Sequence, residues 1–152
     1  MRGAGVGCSL AVLAAAVLGC AAGCSGSEGG DYDGPQLGPE EMIFNLGGRE
    51  ARLAGGHCEP DAEQWRCSWG GESGGTTVAI VLPGDTRPQV YSAGADGVEV
   101  IVTLAADRLQ AERSLSVTIE TFEGRGGELE GELDGRLNGQ DALGLFRAPI
   151  AE

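Results

Sequence analysis

The sequence predicts an all-β domain, a β-sandwich or a partly open barrel of about seven to nine short antiparallel strands. The 152 residues include 28 glycines, a density that suits tight turns and weakens helices by about 1 kcal/mol for each glycine. Apolar residues alternate with polar ones over short runs, as in half-buried strands. Turn dipeptides such as Gly47-Gly48 and Asn138-Gly139 separate these runs.

Residues 1–19 have the layout of a secretory signal peptide. Met1 and Arg2 give a short positive start, and residues 10–18 are an apolar run of Ala, Val and Leu. This run is shorter than the roughly 20 apolar residues that a membrane-spanning helix needs. We therefore expect a targeting segment here rather than part of the fold.

Two cysteines follow this run. Val17, Leu18 and Gly19 precede Cys20, and Ala-Ala-Gly precedes Cys24. Both stretches resemble the lipobox of bacterial lipoproteins, which implies that a cysteine thiol takes a diacylglycerol, that cleavage falls just before it, and that its amino group is acylated, for example with palmitate. The aliphatic Val17 favours Cys20, whereas the smaller residues before Cys24 keep that cysteine as the alternative.

The same resemblance predicts a place in the cell envelope. Neither Cys20 nor Cys24 is followed by Asp, the residue that tends to retain Gram-negative lipoproteins at the inner membrane, so we expect a lipid anchor in the outer membrane, facing the periplasm or the cell surface. Two or three acyl chains anchor a protein where one binds only marginally. Residues 20–40 then read as the lipidated cysteine and a flexible Gly/Ser/acidic tether.

The domain, residues 41–152, begins with a predicted hairpin of Met42–Leu46 and residues 49–54. Gln64–Trp69 follows as a strand with Trp65, Cys67 and Trp69 on one side, and the two tryptophans are interpreted as core packing. Cys58 and Cys67 are the only cysteines of this domain, and disulfides form in the compartment predicted for it. A Cys58–Cys67 disulfide is therefore predicted.

The middle of the domain continues the strand pattern. Residues 77–82 are apolar on both sides, which predicts a central strand covered on both faces. Gln89–Ser92 reads as an edge strand, and residues 98–104 and 115–121 alternate. Residues 105–113 hold Ala, Leu, Gln, Glu and Arg without Gly or Pro, so a turn of helix or a long loop is expected there.

Residues 127–146 predict a closing hairpin around Asn138-Gly139. Its leucines alternate with polar residues, so its first strand buries one face and exposes an acidic one. We interpret this acidic face as a solvated surface or as a binding face for a cationic partner; its outward residues are Glu128, Glu130, Glu132, Asp134 and Arg136.

A family resemblance rests on this hairpin. Residues 116–120 (Ser-Val-Thr-Ile-Glu), residues 129–137 and the final Gly144-Leu145-Phe146 are similar to the closing hairpins of a loose, mostly uncharacterised group of small bacterial lipoproteins. The resemblance extends to residues 44–48, and it departs at Glu132, where the group tends to have an aromatic residue. It implies an all-β fold and carries over no catalytic residue.

Charge and chemistry limit the function classes. The formal net charge of −13 argues against nucleic acid and anionic lipid surfaces as partners. Residues 71–75 match the G-x-S-x-G string around Ser73, but that chemistry needs a helix after the serine and an oriented histidine base, and a β-branched strand follows. The only histidine, His57, precedes Cys58. We expect no enzyme, cofactor or metal site.

The expected function is a lipid-anchored envelope lipoprotein that acts as a non-catalytic binding or structural module. One alternative is an acidic, inhibitor-like lipoprotein that binds a cationic envelope protein such as a cell-wall hydrolase. A serine hydrolase is the weaker alternative. Salt separates the first two, because electrostatic capture weakens at high ionic strength.

Overall fold

The computed structural model describes residues 35–70, 75–105, 107–110 and 114–152, and they form eleven strands. The strands make two antiparallel sheets in a sandwich-like arrangement, which confirms the all-β prediction. Their bounds are β1 Met42–Leu46, β2 Arg49–Leu53, β3 His57–Asp61, β4 Gln64–Trp69, β5 Thr76–Pro83, β6 Gln89–Ser92, β7 Glu99–Leu104, β8 Asp107–Gln110, β9 Ser116–Phe122, β10 Glu128–Leu137 and β11 Gln140–Pro149.

The six-stranded sheet has the order β2-β1-β11-β10-β9-β6, and the five-stranded sheet has the order β3-β4-β5-β7-β8. Two isolated bridges join the sheets at their corners. The first bridge joins Ile150 to Cys58, and beside it the N–H of Ala151 donates to the Cys58 carbonyl at 2.8 Å. The second bridge joins Ala93 to Val98. The sandwich is therefore tied together at two corners.

The structure has two strands more than the predicted seven to nine, and the additional ones are β3 and β8. The expected helical turn or loop at residues 105–113 is a strand at Asp107–Gln110, paired with β7. Ala105, at φ 54°, reverses the chain, and Leu109 then lies opposite the buried Val102. Tertiary pairing overrides the local helix propensity, which is a weak signal over so few residues. In β3 only Cys58 is buried, so the sequence shows no alternation there.

The core lies between the inward faces of the two sheets. Trp69 and Phe146 are the largest fully buried side chains, and their ring centroids are 5.3 Å apart. The Trp69 indole N–H donates to the Arg147 carbonyl at 2.9 Å, which fixes β11 against the five-stranded sheet. Trp65 is 8% exposed and meets Phe122 edge-on at 5.7 Å. The interpretation of both tryptophans as core residues is confirmed.

The predicted disulfide is present between directly opposed residues of β3 and β4. Cys58 and Cys67 are register partners, their Cα atoms are 3.9 Å apart, and neither is exposed. Closing this ring stabilises the fold by about 2.7 kcal/mol in the chain-entropy description. It also holds β3 where the end of the chain bridges to it.

The predicted closing hairpin is present as β10 and β11. Asn138 and Gly139 have φ angles of 49° and 75°, the two positive values that a type I′ turn needs. Leu137 and Gln140 are the last paired residues before this turn, and pairing continues to Glu128 and Pro149. This register decides which side chains stand beside the acidic residues of β10.

Candidate functional site

The outer face of the six-stranded sheet carries the predicted acidic residues. Leu129, Leu133 and Leu137 of β10 are buried against the core, so the charged residues that alternate with them point outward. Pairing with β11 sets Glu130 opposite Arg147 and Glu132 opposite Leu145. Of two successive outward glutamates on β10, one therefore has a cationic cross-strand neighbour and the other an apolar one.

At one end of β10 Arg147 compensates part of the acidic charge. Its Nε lies 2.5 Å from Glu128 Oε1 and 2.9 Å from Glu130 Oε1, although neither approach has hydrogen-bond alignment. The aligned hydrogen bond is donated by Nη2 to Glu128 Oε2 at 3.0 Å. The three side chains are only about one-third exposed.

This cluster raises the pKa of Arg147 above its ordinary value. The hydrogen bond with Glu128 is the largest cause, and the negative charges of Glu130 and Glu128 add to it against the effect of burial. Because the pKa of a base is raised, its contribution to folding is complete at neutral pH and is lost only under strongly alkaline conditions. Glu128 and Glu130, which the sequence analysis assigned to a solvated surface or a binding face, are thus half-buried ion-pair partners of Arg147.

Two weaker ion pairs lie at the margins of the same face. Arg52 Nη1 and Glu41 Oε2 are 3.9 Å apart on the β2 side. Arg136 Nε and Asp141 Oδ1 are 3.3 Å apart beside the hairpin turn. These side chains are well exposed, and such pairs contribute about 0–1 kcal/mol.

Between these ion pairs lies a region without compensating cations, which we call the acidic–apolar patch. Among the described residues, Glu50, Glu132 and Asp134 have no cationic group within 4.0 Å, and all three are exposed. Leu143 lies opposite Asp134 and is 53% exposed. The patch lines a shallow cavity of about 350 Å³ and consists of Ile43, Asn45, Glu50, Glu132, Asp134, Leu143 and Leu145.

The start of the described chain bounds this patch on one side. Residues 35–37 line a depression of about 370 Å³ together with Glu130, Leu145 and Arg147. They therefore lie against the outer face of the six-stranded sheet beside Arg147. Among the described residues, none covers Leu143, which is 53% exposed.

Only two of the seven patch residues were predicted from the sequence. Glu132 and Asp134 belong to the predicted binding face, whereas Glu50, Ile43, Leu143 and the others became visible only through the register of β1 with β2 and β11. The alternation of residues 141–146 was the available signal, because it places Leu143 and Leu145 on the side opposite to the buried Ala142 and Phe146.

The other candidate positions give no assembled site. His57 is exposed, and its Nδ1 lies 3.0 Å from the Gly55 carbonyl oxygen. Its Nε2 lies 3.5 Å from Ser68 Oγ on the neighbouring strand, at the upper limit for a hydrogen bond. Ser73, Cys20 and Cys24 lie outside the described residues. Within the part of the chain that is described, no three His, Cys, Asp or Glu side chains are grouped to hold a metal, and no helix is both long and apolar enough to cross a bilayer.

Comparison with known proteins gives no further direction. No family model matches this chain, and neither the search of curated proteins nor the search of solved structures finds a match.

Proposed function

We propose that this protein is a lipid-anchored lipoprotein of the bacterial cell envelope that acts as a non-catalytic binding module. In this proposal Cys20, or alternatively Cys24, carries the lipid, and the acidic–apolar patch binds a cationic envelope protein. The lipobox-like sequence supports the anchor, and the formal charge of −13 supports a cationic partner.

The observation that carries the binding role is the unequal distribution of cations over one sheet face. Arg147, Arg52 and Arg136 each lie beside a carboxylate at the margins, yet no cation of the described residues stands within 4.0 Å of Glu132 or Asp134. A purely solvating surface does not require an exposed leucine at its centre. Leu143 beside Asp134 instead combines apolar contact with electrostatic steering, as protein interfaces do.

The anchor is tested with cysteine variants. We expect Cys20→Ser combined with Cys24→Ser to release the protein from membranes and to abolish incorporation of labelled palmitate, because neither of the two lipobox-like cysteines then remains to take the lipid. The two single variants decide which cysteine is used. Membrane retention of the double variant would refute the anchor.

The binding role is tested by capture of a basic cell-wall hydrolase on the immobilised protein. We expect capture at low ionic strength and a steep loss towards about 1 M salt, where the Debye length falls to about 3 Å. Glu132→Gln with Asp134→Asn should weaken capture on the order of tenfold. Glu59→Gln with Glu99→Gln is the matched control, because it removes the same charge from exposed positions of the five-stranded sheet.

Two outcomes contradict the binding role. Either the wild-type protein captures no basic hydrolase even at low salt, or the control variant weakens capture as much as the patch variant does. The second outcome would mean that total charge attracts the partner and that the patch has no special part.

A further inference from the structure

We infer that the acidic–apolar patch accepts a short cationic amphipathic helix, lying along β11 as a third layer on the six-stranded sheet. This inference rests on the proposed function and specifies what the partner presents. It follows from the width of the patch, from the position of β11 inside the sheet, and from the placement of the carboxylates on both sides of the apolar residues.

The width comes from one row of register partners. Asp134 of β10 lies opposite Leu143 of β11, Leu143 opposite Asn45 of β1, and Asn45 opposite Glu50 of β2. Three strand spacings of about 4.8 Å separate the two carboxylates by roughly 14 Å. An α-helix is about 10–12 Å across with its side chains included, so a helix with cationic flanks fits between Asp134 and Glu50.

The apolar floor lies between these carboxylates. Ile43 of β1 and Leu145 of β11 are register partners in the neighbouring row, and Leu143 precedes Leu145 along β11. Leu143 is 53% exposed, whereas Ile43 is 8% exposed, so the floor is a shallow cavity that is open at Leu143. A stripe of apolar side chains from one helix face covers a floor of this shape.

The interior position of β11 favours a helix over an extended segment. β11 is hydrogen-bonded to β1 on one side and to β10 on the other, so the patch offers no free strand edge. An extended peptide on this face would bury backbone N–H and C=O groups without partners. A helix satisfies those groups internally, and helices cover sheet faces in layered folds.

The neighbouring ion pairs limit the length of the helix. Arg147 with residues 35–37 bounds one end, and the Arg136–Asp141 pair stands at the other end. The five residues of β11 from Asp141 to Leu145 span roughly 15 Å. At 1.5 Å per residue this corresponds to about ten helical residues.

The chemistry of the partner helix follows from these limits. It carries a narrow apolar stripe over Leu143 and Leu145, with Lys or Arg on one flank towards Glu132 and Asp134. A second cation on the other flank faces Glu50. Arg52, the register partner of Ile43, stands at the same flank, where its Nη1 lies 3.9 Å from Glu41 Oε2.

The experiment uses the full chain with Cys20→Ser and Cys24→Ser, and a fluorescent peptide of about ten residues designed with a leucine stripe flanked by lysines. A scrambled peptide of the same composition, in which the stripe is destroyed, is its control. We expect the designed peptide to bind at least tenfold more tightly than the scrambled one, and to gain helical circular dichroism on binding. Leu143→Asn and Glu132→Gln with Asp134→Asn should each weaken it about tenfold, whereas Glu59→Gln with Glu99→Gln should not.

Equal binding of the designed and scrambled peptides would overturn the inference, because charge alone would then explain it. Capture of a basic hydrolase through the patch, without binding of the designed peptide, would also overturn the helix while leaving the proposed function in place. Failure of both would reject the proposed function itself. Binding that survives the patch variants would place the helix elsewhere on the protein.

Discussion

Arg147 gives the alternating acidic residues of β10 two different roles. Its guanidinium binds Glu128 and Glu130. Its main-chain N–H donates to the Glu41 carbonyl at 2.9 Å, and its main-chain carbonyl accepts from the Trp69 indole. The main chain is thus held from both sides and the side chain is left to reach over the outer face. Two carboxylates become structural, and Glu132 and Asp134 remain free of cations within the described residues.

Removing Arg147 should therefore change stability and binding in opposite directions. We expect Arg147→Gln to lower the free energy of unfolding by about 1 kcal/mol in urea titrations, because two half-buried carboxylates lose their cation. Capture of a cationic partner at low salt should rise severalfold, because the uncompensated charge then extends along β10. Arg87→Gln, at an exposed position without an ion pair, should change neither, and reduced capture by Arg147→Gln would contradict this assignment.

At the level of strands, sequence alternation located β10 and β11 well and missed their neighbours. Alternation is strong where leucines recur, as in residues 129–137, and the Asn138-Gly139 turn marks the hairpin unambiguously. It fails in β3, where Cys58 is the only buried residue, and in β8, whose pairing depends on a turn at Ala105. Strand order lies beyond the pattern altogether, because β1 reaches β11 across the length of the domain.

The acidic–apolar patch was visible in the sequence only in part, for the same reason. The charges of β10 are readable from one segment, whereas their cations and apolar neighbours come from β1, β2 and β11. Arg147 lies next to Glu130 and Glu50 lies in the row of Asp134 only through pairing. A single sequence carries no signal for that register.

The glycines of the hairpin provide a test at the same scale. A Cβ at Gly131 would collide with the Thr118 carbonyl oxygen and the Phe146 ring, whereas a Cβ at Gly144 would lie 3.1 Å from the flexible end of Met42. We expect Gly131→Ala to lower the free energy of unfolding by about 2–3 kcal/mol, and Gly144→Ala by less than about 1 kcal/mol because Met adapts. Urea titration measures the free energy of unfolding of both variants. Equal losses would contradict the close contact between Gly131 and the Phe146 ring.

At the level of the whole molecule, the net charge is strongly negative, and on the outer face of the six-stranded sheet Arg52, Arg136 and Arg147 each lie beside a carboxylate. Long-range attraction would bring a basic partner towards the protein, and Leu143 and its neighbours would decide where it stops. The predicted tether would allow the domain to stand away from the membrane. Steering by total charge and docking at one patch are separable, because only docking changes the surroundings of particular methyl groups.

The most direct test is a methyl NMR titration of the full chain carrying Cys20→Ser and Cys24→Ser, with labelled Ile and Leu methyl groups, against a basic cell-wall hydrolase at low salt. We expect the largest shifts at Ile43, Leu143 and Leu145, with the signals of Ile101, on the outer face of the five-stranded sheet, unchanged. Shifts concentrated at Ile101, or spread evenly over both sheets, would contradict a binding site at the acidic–apolar patch.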